Sequence, residues 1–322
     1  MKTALYTIEL YILKLIRHIY RKFHTNWSYH HVTIEDKKVS DAIYDALMED
    51  APFMLARVGT TEFRALLSQE TKRVSIWQRY KFFLMGWTSS IRDIALIEAE
   101  AINQVYFHAG IFPNKSEMLQ VFHNEMQHAL SLVDILAVWI DEDLLKLPLS
   151  VQKCSAECIE PYDYAHPWSL ALAGKKVLVI HPFAETIRSQ YQRKEKIWDN
   201  PDILPDFTLI TLKAVQTITG VNSEFRDWAE ALGYMKRQID AIDFDIAIIG
   251  CGAYGFPLAA YCKQIGKKAI HMAGATQILF GIKGKRWDDM PAVNKFYNEY
   301  WVYPSADETP KLAKKVENGC YW

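Results

Sequence analysis

The stretch DFDIAIIGCGAYGFPLAAYCKQIGKKAIH, Asp243 to His271, decides the fold. An apolar run from Ile246 to Ile249 meets Gly250, Gly252 and Gly255. Apolar residues then recur at helical spacing from Phe256 to Ile265 and stop at Gly266. Lys267 and Lys268 lead into a second apolar run that ends at His271. The pattern is strand, glycine turn, helix, strand, so this is a βαβ unit and the sheet is parallel here.

Glycines at such a turn let backbone N–H groups approach a phosphate closely, beside the partial positive charge of a helix N-terminus. Gly250, Gly252 and Gly255 therefore form a candidate phosphate cradle, with Tyr254 inside it. The spacing is GxGxxG, but a dinucleotide site also wants an acidic residue about twenty positions on, to hold a ribose hydroxyl. His271, Met272 and Ala273 stand there instead, which argues against a nicotinamide cofactor; a tight turn without ligand is the plainer alternative. Just beyond lies Gly281-Ile282-Lys283-Gly284-Lys285-Arg286-Trp287. Its Lys283, Lys285 and Arg286 suit a diphosphate, and Trp287 could stack on a base or sugar. A solvated basic loop would read the same way.

The chain has 322 residues, 50% hydrophobic and 23% charged, which is ordinary globular material. A formal net charge of -1 provides no global field for nucleic acid, so no nucleic-acid partner is expected. Five cysteines without a dense framework suit reduced thiols in the cytoplasm.

Leu5, Ile8, Ile12, Leu15, Ile16 and Ile19 make an apolar stripe, with Lys14, Arg17, Arg21 and Lys22 gathering toward its end. Charge interrupts this segment too often for it to span a bilayer. It reads as an amphipathic helix, packed on the protein or lying peripherally on the inner face of the cell membrane.

Further buried strands are expected at Phe53–Ala56, Asp134–Ile140, Lys176–Ile180 and Phe207–Leu212, and helices at Ile91–Gln104, Asn294–Trp301 and Glu308–Val316. The first strand delivers Arg57-Val58-Gly59-Thr60-Thr61-Glu62, where Thr60 or Thr61 can cap a helix and Glu62 suits its first turn. A carboxylate and an arginine at a sheet edge can also hold a metal-diphosphate or take a proton from a hydroxyl. The third strand exits at His181, a second candidate base, although a histidine bonded to nearby backbone fits as well. Asp141-Glu142-Asp143 offers either a manganese-type carboxylate pair or a cap by Asp141. His123 and His128 are five apart, which misses the spacing of a helical zinc pair.

With these junctions in view, the chain resembles bacterial polysaccharide-biosynthesis proteins related to GT-D type glycosyltransferases. The likeness is carried by Arg57-Val58-Gly59-Thr60-Thr61-Glu62, by VLVIHPFAETI at Val177 to Ile187, and by GCGAYGFPLAAY and GATQILFGIKGKRW. It implies an α/β fold: a Rossmann-like, mostly parallel sheet with helices on both faces. An N-terminal helix over residues 1–30 would precede one glycosyltransferase domain over 31–322. It implies a nucleotide-sugar donor, UDP- or GDP-linked, and a lipid-linked or capsular glycan acceptor. Glu62 or His181 would be the base. Arg57, Gly250, Gly252, Tyr254, Gly255, His271, Lys283, Lys285 and Arg286 would hold the donor. The family motif reads Arg-x-Gly-Asp-Gly-Glu and is associated with Mn2+ or Mg2+; Thr60 replaces its aspartate here, leaving Glu62 the only motif carboxylate for a metal. Two other readings stay open: an NAD(P)-dependent oxidoreductase acting on a sugar nucleotide, and a non-catalytic assembly protein with a decayed transferase site.

Overall fold

The computed structural model describes residues 2–23, 32–218, 224–316 and 318–322. Residues 24–30 of the expected N-terminal unit, and the side chains of Leu5, Ile8 and Asp143, lie outside this description.

Seven strands form one all-parallel sheet: β1 (Phe53–Arg57), β2 (Ile135–Val138), β3 (Gln152–Ser155), β4 (Lys176–His181), β5 (Thr208–Lys213), β6 (Ile246–Ile249) and β7 (Lys268–His271), in the order β3-β2-β1-β7-β6-β4-β5. The helices are α1 (Lys2–Phe23), α2 (Lys37–Met48), α3 (Thr60–Glu70), α4 (Ile76–Met85), α5 (Ile94–His108), α6 (Ser116–Leu130), α7 (Ala184–Tyr191), α8 (Trp228–Asp240), α9 (Gly255–Gln264), α10 (Ala275–Leu279), α11 (Lys285–Asp288) and α12 (Pro291–Asn294). The architecture is α/β and Rossmann-like.

Parallel strands need covering on both faces, which explains why their sequences are continuous apolar runs rather than alternations. Met54, Ala56, Leu178, Ile180, Ala247 and Ile249 face one core, shared with α3, α5, α6, α8 and α9. Phe53, Leu55, Val177, Val179, Ile246 and Ile248 face the other, shared with α2, α7 and α10. The connections obey a single crossover hand. Those from β1 to β2, β5 to β6 and β6 to β7 step one way along the sheet and use the first face. Those from β3 to β4 and β4 to β5 step the other way and use the second.

That rule creates a crevice. β4 and β6 are hydrogen-bonded neighbours, yet β4 continues into α7 on one face and β6 into α9 on the other. Their carboxyl ends therefore diverge, which is where open parallel sheets bind ligands.

The C-terminal helices differ from the expectation. The segment around Tyr300 pairs instead of coiling: Lys283 N–H donates to Val302 O at 2.7 Å and Val302 N–H to Gly281 O at 3.1 Å. Only α12 and isolated 3-10 turns at Ala306–Glu308 and Ala313–Lys315 remain helical there. The expected helix at Ile91–Gln104 is α5, begun by Asp93, whose carboxylate accepts the Leu96 N–H at 3.0 Å. No described helix is long and apolar enough to cross a membrane.

Ile248 in β6 is fully buried. Ile248→Ala should cost about 2–5 kcal/mol through lost burial and a residual cavity, read as a lower urea midpoint at unchanged slope. A loss below about 0.5 kcal/mol would contradict a close-packed second face.

Candidate functional site

The crevice opens into a cleft at the carboxyl ends of the strands, with a cavity volume of about 190 Å³. Arg57 and the Gly59–Glu62 turn reach it from β1, Trp139 from β2, His181 from β4, Thr217 from β5, Gly250 and Tyr254 from β6, and His271 from β7. Of the expected residues, Arg57, Glu62, His181, Gly250, Gly252, Tyr254, His271 and Arg286 line it.

Gly59 precedes α3, which places Glu62 in the helix's first turn. A Cβ built on Gly59 would fall 2.1 Å from Glu62 Oε2, so the carboxylate folds back against the Gly59 backbone. Neither Thr60 nor Thr61 caps the helix: its N-cap is Gly59, without a side-chain bond. Glu62 is thus a helix-terminal acid and a cleft-lining carboxylate at once.

The glycine turn behaves differently from a phosphate cradle. Gly250 N–H donates to Ile180 O at 3.0 Å, Ala253 N–H to Ala109 O at 3.2 Å and Tyr254 N–H to Cys251 O at 3.3 Å, so these amides serve the protein's own carbonyls. The glycines are needed for close packing. A Cβ on Gly250 would meet Ala273 O at 2.5 Å, and one on Gly255 would meet His271 Nε2 at 2.3 Å. Gly255 itself does not line the cleft; it makes room for the imidazole that does. Tyr254 is buried, its ring stacked on Trp228 and its hydroxyl 2.9 Å from Thr217 Oγ1.

His181 accepts the Phe183 N–H at Nδ1, 3.0 Å away. That bond puts the ring proton on Nε2, so His181 faces its surroundings as a donor. Burial drives its pKa down to about 3. The structure therefore takes His181 out of the candidate bases, because its one lone pair is already engaged. His271 is also driven to about 3, by burial first and by the Arg57 charge second. Neither of its ring nitrogens has a hydrogen-bond partner among the described residues.

Arg57 lies over Trp139, with its guanidinium carbon 5.7 Å from the ring centroid, and its buried Nε is unpartnered among the described residues. His108 Nδ1 and Gln277 Oε1 are unpartnered in the same way and line the same cleft. Buried polar atoms are normally satisfied. Among the described residues such unpartnered atoms gather on Arg57, His108, His271 and Gln277 along this cleft.

The basic loop divides. Arg286 reaches the cleft, its Nη1 3.3 Å from Tyr321 Oη and its guanidinium carbon 4.8 Å from that ring's centroid. Lys283 Nζ instead sits 5.1 Å from the Tyr297 ring centroid, and Lys285 Nζ donates to Asn318 O at 3.2 Å. Neither lines the cleft. Trp287 is buried beside Tyr321 in α11 rather than presented to a ligand.

The C-terminal segment supplies what sequence reading missed. The Glu308 carboxylate accepts the Glu185 and Thr186 N–H groups at 2.8 and 3.2 Å, capping α7. Trp322 Nε1 donates to Glu308 O at 3.3 Å, which helps bring Tyr321 and Trp322 to the cleft wall. Trp139 and Gln277 were also missed. Trp139 is one more apolar residue of the strand expected at Asp134–Ile140, and Gln277 lies within the quoted GATQILF string.

Two acids of the triplet have structural duties: Asp141 stands at the N-cap of a 3-10 turn, Glu142–Leu144, but spends its carboxylate on the Trp87 indole N–H rather than on a cap bond, and Glu142 accepts the Trp139 and Ile140 N–H groups at 3.0 and 3.1 Å. His123 Nε2 meets Glu70 Oε1 at 2.9 Å. Among the described residues no three His, Cys, Asp or Glu side chains converge to hold a metal. Hard cations want several oxygen ligands, and the cleft offers the Glu62 carboxylate beside Thr60, so these residues do not fit such an ion.

Compared with known proteins, the chain matches no family model, no curated protein and no solved structure.

The two cleft histidines give the fold an acid limit. An unfolded histidine titrates near 6.5, and both are held near 3 in the fold. Between those values the unfolded chain binds protons that the folded one refuses, so stability falls as pH drops from 6.5 toward 3. Glu142, pushed up to about 7 by burial, acts in the opposite direction over its own window. Glu160, raised by burial, acts with Glu142, whereas the lowered carboxylates Glu70 and Asp227 act with the histidines, so the thermal midpoint should fall between pH 7 and pH 4, and more gently in His271→Gln. An identical slope in the variant would show that His271 titrates normally.

Proposed function

We propose that this protein is a glycosyltransferase that takes a sugar from a nucleoside-diphosphate donor and passes it to a lipid-linked or capsular glycan acceptor. One observation carries the reading. A single cleft at the diverging ends of β4 and β6 combines a carboxylate, Glu62, with two arginines, Arg57 and Arg286, and an aromatic wall of Trp139, Tyr321 and Trp322. The motif likeness over Arg57 to Glu62 and Gly250 to Trp287 supports it further.

In this reaction the acceptor oxygen bonds to the anomeric carbon as the bond from that carbon to the diphosphate oxygen breaks. The acceptor proton passes to Glu62, the general base. Negative charge grows on the leaving diphosphate, and Arg57 and Arg286 stabilise it in a partly water-excluded site. Buried, neutral His271 forms part of the cleft floor and adds no charge beside Arg57. Trp139, Tyr321 and Trp322 provide faces for the base and sugar rings. The position a dinucleotide's ribose would need as a carboxylate is His271, which tells against the oxidoreductase reading.

α1 supports an acceptor held at a surface. Ile12, Leu15, Ile16, Ile19 and Phe23 are all exposed on it, and Trp77 at the start of α4 is 78% exposed. An apolar stripe turned outward on a basic helix suits a peripheral position on an anionic leaflet.

Glu62→Gln keeps the shape of the side chain and removes its basicity. Nucleoside-diphosphate release in the presence of acceptor should fall about 10²-fold or more, while donor affinity stays within about threefold. Undiminished turnover would remove Glu62 from the mechanism.

A further inference from the structure

A second polar recess lies away from the cleft, between α3, α5 and the turn that follows α4, with α1 along its rim. Its cavity volume is about 180 Å³. Arg17 comes from α1, Arg64 from α3, Gln104 from α5, and Thr88 and Ser89 from the turn.

Its side chains form an incomplete set. The Arg17 guanidinium carbon lies 4.8 Å from the Phe83 ring centroid, fixing it at the rim. Arg21 follows one helical turn later and lies against Gly86, where a built Cβ would come within 3.1 Å of its Nη1. Gly86 holds a φ of +86° and ends α4, so the chain turns sharply there and presents Trp87, Thr88 and Ser89 to the recess. Arg64 Nη1 donates to Gln104 Oε1 across a long 3.4 Å, and its buried Nε has no partner among the described residues. Thr88 Oγ1 and Ser89 Oγ are buried and unpartnered too, with Thr88 only 5% exposed. Arg64's pKa is lowered, by burial first and by the Arg21 charge second, with Glu100 pulling the other way. Among the described residues, Glu100 is the one acid lining the recess.

Three arginines drawn together against one exposed glutamate repel one another, and Thr88 and Ser89, whose buried hydroxyls have no partner among the described residues, line the same space. A tetrahedral oxyanion answers both needs: it accepts from guanidinium forks and from hydroxyls, and it neutralises the excess positive charge.

We infer that this recess is a binding site for a phosphate group, held by Arg17, Arg21 and Arg64 with Thr88 and Ser89. The site is distinct from the cleft and does not depend on the reaction proposed for it. At 100° per residue, Arg17 and Arg21 lie on the side of α1 away from Ile12, Ile16 and Ile19. The recess therefore faces the body of the protein, which suits the phosphate of a soluble ester; a lipid headgroup is the other source of the same group.

The test uses the full chain with inorganic phosphate, against chloride at matched ionic strength. Phosphate should raise the thermal midpoint. Arg21→Ala and Ser89→Ala should each weaken phosphate binding to the recess about tenfold, with each variant's own midpoint in chloride as its baseline, while Arg57→Ala in the cleft leaves that binding unchanged. The source is separated by sedimentation with phosphatidylglycerol vesicles against phosphatidylcholine vesicles. Retention on phosphatidylglycerol that needs both Arg21 and Ser89 supports the site with a lipid as its occupant; a phosphate response that both substitutions weaken, without retention, supports it with a soluble one. A phosphate response that survives both substitutions overturns the inference, and its loss in Arg57→Ala would place the phosphate in the cleft instead. So does the absence of both a phosphate response and Arg21-dependent retention.

Discussion

The approach of the Gly255 backbone to His271 is the constraint on which the carboxyl edge of this sheet depends. With an imidazole nitrogen 2.3 Å from where a Cβ would stand, no other residue fits at the start of α9 without moving β7's last side chain. Gly250 makes the same demand against the Ala273 carbonyl. The two contacts hold the ends of β6 and β7 together. They also bury the His271 ring in the cleft floor, with Nε2 against the Gly255 backbone. The same glycines therefore set both the packing of this edge and the burial of its histidine.

Electrostatics divides the labour at that edge. The starts of α3 and α7 face the edge already supplied with the chain's own carboxylates: Glu62 is folded against Gly59, and Glu308 is bonded to Glu185 and Thr186. Helix termini that would otherwise attract anions are occupied. The positive charge that lines this edge comes instead from Arg57 and Arg286, both laid against aromatic rings. Guanidinium groups retain their charge when partly buried, which a histidine does not. The low pKa of His181 and His271 follows from the same burial.

Much of this could be read from the residues alone, and the reason is burial. Strands covered on both faces must be apolar throughout, so Phe53–Ala56, Lys176–Ile180 and Ile246–Ile249 announce themselves, and each hands its next residues to one edge. Arg57, Glu62, His181 and His271 could be gathered in that way. Long-range choices could not. Nothing in Lys283-Gly284-Lys285-Arg286 says that only the arginine turns inward, because the outcome rests on pairing with Val302 and on Asn318 and Tyr321. The spacing of Gly250, Gly252 and Gly255 likewise suits either a ligand or a close neighbour, and here the neighbours are Ala273, Ala109 and His271. Glu308 carries no local sign of reaching α7, more than a hundred residues back in the chain.

The central claim is that the cleft holds a nucleoside diphosphate through Arg57 and Arg286. The most direct measurement is a thermal-shift comparison of UDP, GDP, CMP, ADP and NADH on the intact chain and on Arg57→Ala. A ligand at about a hundred times its dissociation constant stabilises by roughly 2.7 kcal/mol. The account predicts that UDP or GDP raises the midpoint of the intact chain and that Arg57→Ala loses the rise. Silence toward both diphosphates, or a response to NADH alone, would contradict it.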